Sequence, residues 1–224
     1  MRMNCRDFVV IVSEVIDLPE PIYEFGSRQV ADQGEFTNLR CFFKGKYYVG
    51  CDYVSGTGVD KIENIMSLSL KDQSVGTCLL IESLEHIENP FIALGEIYRV
   101  LKPNGVLILT TPMNFPIHDY PYDYWRFTPE GIRTLTKSFE IKIVGSQGPV
   151  DFPHTLFCVA FKSDYPAIEQ LFEKLCKRLD KDMRQYQQGR FGTILNRYYT
   201  WKALISLNLR EWINRNQLRF NLYK

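Results

Sequence analysis

Short apolar segments that alternate with amphipathic helices limit the folds open to this chain. Residues 77–83 (TCLLIES) and 106–112 (VLILTTP) are apolar over most of their length, as is typical of strands buried on both faces. Between them, residues 89–101 predict a helix with one apolar face, an Asn89 cap and a proline at its first position. This strand, helix and strand order indicates a parallel sheet with helices on both faces.

The flanking segments extend the same alternation. Around this unit we predict helices at 5–18, 30–43 (a weaker one) and 128–139, strands at 22–25, 45–53, 59–62, 140–147 and 154–162, and a turn at 102–105. The last two strands suit an antiparallel pair. The predicted fold is therefore α/β: a Rossmann-like, doubly wound, mostly parallel sheet with an antiparallel edge strand and a helical C-terminal extension.

Charge divides the chain into two parts. Residues 164–224 carry 12 basic and 6 acidic residues, whereas the chain as a whole has a net charge of only +1. We therefore predict a main domain at 1–163 and a basic helical extension at 164–224, with helices at 167–188 and 193–215. A basic amphipathic helix with Trp and Tyr can bind an anionic membrane surface, or it can pack on the core or on a second copy. Peripheral membrane contact and a homo-oligomer both stay open, and no nucleic-acid partner is expected.

The six cysteines lack the spacing of a zinc site, and most lie in apolar segments. We therefore expect reduced core cysteines and a cytoplasmic protein. Charged residues interrupt the N-terminal region, which does not resemble a secretory signal, and no run approaches the length of a membrane span.

Two acidic residues follow neighbouring predicted strands. Glu24 lies at the end of the first strand, two residues before Gly26, and Asp52 ends the second strand, 28 residues after Glu24. In open α/β sheets ligands bind at the carboxyl ends of the strands, and an acid there can bind ribose hydroxyls. The pyrophosphate fingerprint G-x-G-x-x-G and the P-loop are both absent, which argues against an NAD enzyme. An adenosine ligand without phosphate, namely S-adenosylmethionine, fits this pattern, and an ordinary solvated strand end is the alternative.

Residues 81–112 (IESLEHIENPFIALGEIYRVLKPNGVLILTTP) carry a resemblance to a known family. The segment resembles the class I S-adenosylmethionine-dependent methyltransferases that have an EH…P…EI.RVLKPGG.L…TP block. Residues 113–135 resemble a subgroup with a DYWRFTPEG segment after the fifth strand. The resemblance extends over about 22–162 and not into the tail. It implies S-adenosylmethionine as the cofactor and methyl transfer to a small-molecule or saccharide-type acceptor.

The resemblance also implies a set of cofactor-binding residues. Those at the ends of strands one and four would line the methionine and ribose end, and those after strand two would bind ribose and adenine. Asn64 takes the place of an acid that accepts a hydrogen bond from the adenine amino group. The full set is Glu24, Gly26, Ser27, Asp52, Tyr53, Asn64, Ile65, Ile81 and Glu82.

The first loop departs from the family pattern. The family usually has E/D-x-G-x-G-x-G, and only Gly26 of these glycines is present here. The alternative is therefore a non-catalytic binding or scaffold protein that kept the fold with a degenerate cofactor loop. Asp52 and the intact block at 81–112 favour the enzyme.

Candidate catalytic groups follow the fifth strand. His118 and Asp119 can remove a proton from an oxygen or nitrogen acceptor, and the aromatic residues beside them suit a sugar ring or an aromatic acceptor. A packed aromatic lid with a structural His118 is the alternative. Glu82, Glu85 and His86 form an E-x-x-E-H sequence, which holds a divalent metal in some quinone-pathway O-methyltransferases of this family. Relatives without metal share the E-H pair, so no metal is expected.

Overall fold

The structure is a computed structural model that describes residues 1–29, 34–188 and 218–223. Its helices are α1 (Met3–Val15), α2 (Pro90–Val100), α3 (Pro129–Leu135) and α4 (Ile168–Gln188), with three short 3₁₀ turns at Gly34–Thr37, Leu39–Phe42 and Leu84–His86. Its strands are β1 (Ile22–Phe25), β2 (Tyr48–Asp52), β3 (Lys61–Ile62), β4 (Val75–Ile81), β5 (Leu101–Pro112), β6 (Ile141–Gln147), β7 (Thr155–Phe161) and β8 (Leu218–Tyr223).

The eight strands form one sheet in the order β3-β2-β1-β4-β5-β7-β6-β8. The first five positions are parallel, β7 is antiparallel to both β5 and β6, and β8 is antiparallel to β6 at the edge. The predicted mostly parallel sheet with an antiparallel edge strand is therefore confirmed, as is the antiparallel pairing of β6 with β7. The sequence did not predict β8, and it did not predict that β7 inserts between β5 and β6.

Helices cover both faces of the sheet. One core joins the apolar face of α1 and the start of α4 to β1, β5 and β7, and the other joins α2 and α3 to the opposite face. Because both faces are covered, all seven residues of β4 and all seven of β7 are buried. This is why these segments are apolar without alternation.

Two helix starts follow the predicted capping pattern. The side chain of Asn89 accepts a hydrogen bond from the Ile92 N–H at 3.2 Å, and that of Thr128 accepts one from the Gly131 N–H at 3.0 Å. These bonds satisfy backbone donors that a helix leaves free at its N-terminus. Among the helices of the described ranges, none is long and apolar enough to cross a bilayer.

Three predicted elements differ or cannot be compared. In place of a helix over 30–43, residues 34–42 form two separate 3₁₀ turns, because the Asn38 side chain accepts a hydrogen bond from the Arg40 N–H and starts a new turn. The turn predicted at 102–105 is part of β5, where an irregular register lets the strand continue. The helix predicted at 193–215 lies outside the described residues, and the division at residue 163 stays a prediction.

The packing of α1 on the sheet gives a test of the fold. Phe8 of α1 is fully buried, and its ring centroid lies 4.7 Å from that of Phe157 in β7. We expect Phe8→Ala to lower the free energy of unfolding by about 3–5 kcal/mol, because it leaves a cavity in the core. Urea denaturation would measure this loss. The matched control is Phe91→Ala in α2, where the side chain is 64% exposed and the expected change is within about 0.5 kcal/mol. Equal effects of the two variants would contradict this packing.

Candidate active site

The strand order reverses between β1 and β4. From β1 the sheet continues through β2 on one side and through β4 on the other, so the loops that follow β1 and β4 lead away in opposite directions. A crevice at the carboxyl ends of the strands is the usual ligand site of such a sheet. The predicted residues Glu24, Asp52, Ile81 and Glu82 all lie at or next to these strand ends.

Gly26 makes the turn at the end of β1. Its φ is +85°, in the left-handed region, and a Cβ at this position would lie 2.2 Å from the Oγ of Ser83. The N–H groups of Gly26 and Ser27 both donate to the carbonyl of Cys51, at 2.9 and 3.0 Å. The loop after β1 is thereby fixed against the end of β2 and the loop after β4.

The loop after β2 supplies glycines that the loop after β1 lacks. Gly58 has a φ of +89°, and a Cβ there would lie 2.6 Å from the carbonyl oxygen of Ser27. The N–H of Gln29 donates to the carbonyl of Thr57 at 2.9 Å. The two loops therefore pack backbone against backbone, and the segment SGTG (55–58) was the sequence signal for this contact.

Asp52 joins the two loops at the end of β2. One carboxylate oxygen accepts a hydrogen bond from the Arg28 N–H at 3.1 Å, and the other accepts one from the Val54 N–H at 3.2 Å. The side chain is half-buried, and each oxygen retains capacity for a second donor. The geometry is compatible with a carboxylate that also binds ribose hydroxyls.

The residues predicted to lie beside the adenine are Tyr53, Asn64 and Ile65. Tyr53 is 73% exposed. The Oδ1 atom of Asn64 accepts a hydrogen bond from the Met66 N–H at 2.9 Å, so this amide oxygen already stabilises its own turn. Ile65 packs against the core below.

Glu24 points into the protein rather than into solvent. Its carboxyl group is buried and accepts a hydrogen bond from the hydroxyl of Tyr48. Burial raises the pKa of Glu24 to about 7, although the bond from Tyr48 and the charge of Arg40 act to lower it. The group can therefore change its protonation state near neutral pH.

Glu82 is held by the N-terminus of the chain. Its carboxylate accepts hydrogen bonds from the backbone N–H and the Nε of Arg2, at 2.6 and 2.5 Å, and the N-terminal amine lies 3.9 Å away. Burial alone would raise the pKa of Glu82, but the charge and hydrogen bonds of Arg2 hold it below its ordinary value. Arg2 also donates to the carbonyl of His154 at 3.1 Å and lies over the ring of Phe115.

The start of the chain therefore covers the carboxyl ends of β4 and β5 and the amino end of the antiparallel β7. Arg2 was not among the predicted site residues, because an arginine before the first helix carries no local signal of a partner 80 residues away.

The segment 119–125 docks onto the 3₁₀ turn that follows β4. The carbonyl of Glu85 accepts hydrogen bonds from the N–H groups of Tyr124 and Trp125, at 2.9 and 3.2 Å. The indole N–H of Trp125 donates to the carbonyl of Ile87 at 3.0 Å. These bonds place the aromatic segment over the end of β4 and leave Trp125 40% exposed and Tyr124 44% exposed.

His118 is oriented by a buried aspartate. The Nδ1 atom of His118 lies 3.1 Å from the carboxylate of Asp123, which also accepts two hydrogen bonds from Arg126 and one from the His118 N–H. The bonds from Arg126 hold the pKa of Asp123 well below its usual range. Asp119, the acid selected from the sequence, is exposed and has a φ of +51°. Asp123 was missed, since both acids lie in one aromatic segment and only the fold separates them.

Glu85 is a buried carboxyl group near His86 and His118. The hydroxyl of Thr111 donates to its Oε2 atom at 3.1 Å, and burial raises its pKa to about 8. One carboxylate oxygen of Glu85 and one nitrogen each of His86 and His118 all lie within 4.8 Å of one another. The fold thus gathers these three groups from the turn after β4 and the loop after β5.

Known proteins share this fold. Residues 45–109, which run from just before β2 into β5, match a family model described as a methyltransferase domain. The chain resembles the Burkholderia thailandensis 1,6-didemethyltoxoflavin-N1-methyltransferase, solved with S-adenosylhomocysteine and 1,6-didemethyltoxoflavin bound, with a TM-score of 0.56 and 17% identity over 72% of this chain and 79% of that one. A search of curated proteins gives no match.

Two further solved structures are similar. They are S-adenosylmethionine-dependent methyltransferases from Thermotoga maritima (TM-score 0.52, 18% identity, 71% of this chain and 92% of that one) and from Archaeoglobus fulgidus (TM-score 0.52, 15% identity, 70% and 94%). The family model indicates a methyltransferase domain over residues 45–109, and the solved structures show that the fold is shared. They support the predicted enzyme class and S-adenosylmethionine as its cofactor.

The buried carboxyl of Glu24 gives a test by pH. Between about pH 4.3 and 7 the folded state keeps a proton on Glu24 that the unfolded state has released, so the free energy of unfolding falls as pH rises through this window. Glu24→Gln should remove this part of the fall, on the order of 3 kcal/mol, because glutamine does not titrate and can still accept the bond from Tyr48. Urea unfolding at pH 5 and pH 8 would measure the difference.

Two features make this measurement specific. Glu85 also has a raised pKa, and its contribution should remain in both proteins. The matched control is Glu130→Gln, which changes a carboxylate that is 64% exposed on α3 and should keep the wild-type pH dependence. If the free energy of unfolding of Glu24→Gln and of wild type fell equally between pH 5 and pH 8, the claim that folded Glu24 is buried and protonated at pH 5 would be contradicted.

Proposed function

We propose that this protein transfers a methyl group from S-adenosylmethionine to a small-molecule or saccharide-type acceptor. The observation that carries the proposal is the placement of Asp52 beside the Gly26 turn, at the reversal of strand order. We assign the cofactor site to the nine predicted residues, with Asp52 on the ribose hydroxyls, Gly26 at the close approach of the backbone, and Glu82 towards the methionine part. The fold and the matched methyltransferase segment support this assignment.

Methyl transfer requires the protein to align the acceptor with the methyl group of the cofactor, and it requires no covalent bond to the protein. A lone pair of the acceptor attacks the methyl carbon, the bond from that carbon to the sulfonium sulfur breaks, and its electron pair stays on sulfur to give S-adenosylhomocysteine. A hydroxyl or protonated amine acceptor must also lose a proton. We assign proton removal to the loop of His118 and Asp119. Because Asp123 and the Pro116 carbonyl engage Nδ1 of His118, its Nε2 is the atom available for that proton.

The aromatic segment supports a saccharide-type acceptor. Tyr120, Tyr122, Tyr124 and Trp125 are between 40% and 87% exposed, although aromatic side chains are usually buried. Aromatic faces of this kind pack against the apolar face of a sugar ring or against an aromatic acceptor. The predicted relation to the DYWRFTPEG subgroup is consistent with such an acceptor and stays part of the proposal.

A non-catalytic scaffold protein is the second candidate. One observation favours it: Arg2 and the N-terminal amine already engage the carboxylate of Glu82, which the proposal places near the methionine part of the cofactor. In that case the N-terminus would occupy the position of a ligand. Cofactor binding separates the two candidates.

The role that we propose for the basic extension rests on the sequence alone. We propose that residues 164–224 of a cytoplasmic enzyme contact an anionic membrane surface or a second copy of the chain. Co-sedimentation with anionic liposomes that is unchanged after deletion of residues 190–224 would contradict the membrane contact.

Calorimetric titration with S-adenosylhomocysteine tests the cofactor site. Wild type should bind in the micromolar range, and Asp52→Ala should weaken binding at least tenfold, a loss of about 1.4 kcal/mol, because two ribose hydroxyls lose their acceptor. The matched control is Asp72→Ala in the loop before β4, where the carboxylate is 72% exposed and pairs with Arg99. Binding equal to wild type is expected for this control. The absence of binding to wild type would instead favour the scaffold protein.

A further inference from the structure

We infer that Glu85, His86 and His118 form a binding site for a divalent transition-metal ion at the acceptor side of the proposed active site. The inference deepens the proposed methyl transfer and rests on it for the role of the ion. Ligand atoms of the three side chains lie within 4.8 Å of one another, and the ring centroids of His86 and His118 are 4.7 Å apart. Two imidazole nitrogens and one carboxylate oxygen form a ligand set that suits such ions.

The hydrogen bonds of both histidines engage Nδ1 and leave Nε2 available. The Nδ1 atom of His86 lies 2.8 Å from the carbonyl of Tyr122, and that of His118 lies near the carboxylate of Asp123 and the carbonyl of Pro116. These oxygens only accept, so in the neutral imidazole Nδ1 is the nitrogen that carries the proton and Nε2 presents the lone pair. Metal-binding histidines are usually oriented by this type of bond from the second ring nitrogen.

Glu85 supplies an independent observation. Its side chain is 1% exposed, and its Oε1 atom has no hydrogen-bond partner within the described ranges, whereas Oε2 accepts the bond from Thr111. A buried oxygen without a partner is costly. A cation among Glu85, His86 and His118 would provide the missing partner.

The distances allow a shared ion after small side-chain movements. Ligand atoms that bind one zinc ion at roughly 2.0–2.2 Å lie about 3.3 Å apart in a tetrahedral site, so each side chain needs to move by roughly 1 Å or less. His86 and His118 are only half-buried, which leaves room for such a movement. Glu82 stays outside this set, because Arg2 and the N-terminal amine engage its carboxylate.

Three protein ligands leave a coordination position open. A zinc-type ion with an open position lowers the pKa of a bound hydroxyl or water. Such an ion would have room to bind a hydroxyl of the acceptor, and the exposed aromatic residues at 120–125 lie in the same loop as His118. In this arrangement His118 would hold the ion, the ion would lower the pKa of the acceptor hydroxyl, and the released proton would pass to water instead of to His118.

Titration of the full chain with Zn²⁺ and with Co²⁺, after chelator treatment and dialysis, tests the site. We expect one ion per chain, and at least tenfold weaker binding for each of Glu85→Gln, His86→Gln and His118→Gln. The matched control is His154→Gln, which removes the third histidine of the chain from outside the cluster and should bind as wild type does. Cys41→Ser, which removes an exposed thiol, should also leave binding unchanged. A Co²⁺ spectrum without an intense thiolate band is expected.

Other results would overturn the inference. These are wild type that retains no ion, His118→Gln that binds like wild type, or a Co²⁺ spectrum dominated by thiolate. Circular dichroism shows whether each variant is folded, and the two half-buried histidines are the variants least prone to unfold. Titration with S-adenosylhomocysteine in the presence of EDTA separates the two proposals. Cofactor binding without ion binding would contradict only the metal site, and ion binding without cofactor binding would contradict only the proposed function.

Discussion

The rest of the structure depends on the burial of β4 between β1 and β5. All of its residues are buried, and it pairs in parallel with both neighbours. A strand buried on both faces must be followed by a turn at the carboxyl edge of the sheet, where the chain first reaches solvent. Glu82, Glu85 and His86 occupy that turn, and the reversal of strand order leaves the crevice beside it. The same constraint that builds the core therefore positions the chemistry.

The carboxyl groups of Glu24, Glu82 and Glu85 lie at this edge, and their surroundings favour different protonation states. Arg2 neutralises the charge of Glu82, whereas burial favours the protonated forms of Glu24 and Glu85 near neutral pH. Carboxyl groups of this kind are costly to keep in a core without a partner. Cationic partners would favour their charged forms. In the proposed function the sulfonium and ammonium groups of S-adenosylmethionine would be the cationic partners on the cofactor side, and in the inferred metal site an ion would be the partner of Glu85.

The sequence predicted the parts of the fold that depend on local pattern. The apolar strands, the capped helix after Asn89 and the antiparallel pair of β6 and β7 follow from periodicity and capping, and the structure confirms them. The β8 strand was not predicted, because the register that joins it to β6 is a long-range property. In the described part of the helix predicted at 30–43, residues 34–42 form 3₁₀ turns instead, since the side chain of Asn38 starts a new turn.

The site residues likewise divide into those that the local sequence pattern predicts and those that it does not. Asp52 and Gly26 were found because each follows a recognisable strand, and their roles in binding stay predictions. Arg2 was missed because its partner Glu82 is 80 residues away, and Asp123 was missed because only the fold distinguishes it from Asp119 in the same segment. The close contact of Gly58 after β2 with Ser27 after β1 was also not predicted, because a motif confined to one loop does not describe a contact between two loops.

Hydrogen exchange with and without S-adenosylhomocysteine tests the central claim, that the strand ends around the reversal form the cofactor site. Mass spectrometry of peptides would locate the protected backbone. The account predicts slower exchange in peptides that cover residues 24–29 and 51–60, and unchanged exchange in α2 and α3. Saturating ligand that protects other segments and leaves these two loops unchanged would contradict it.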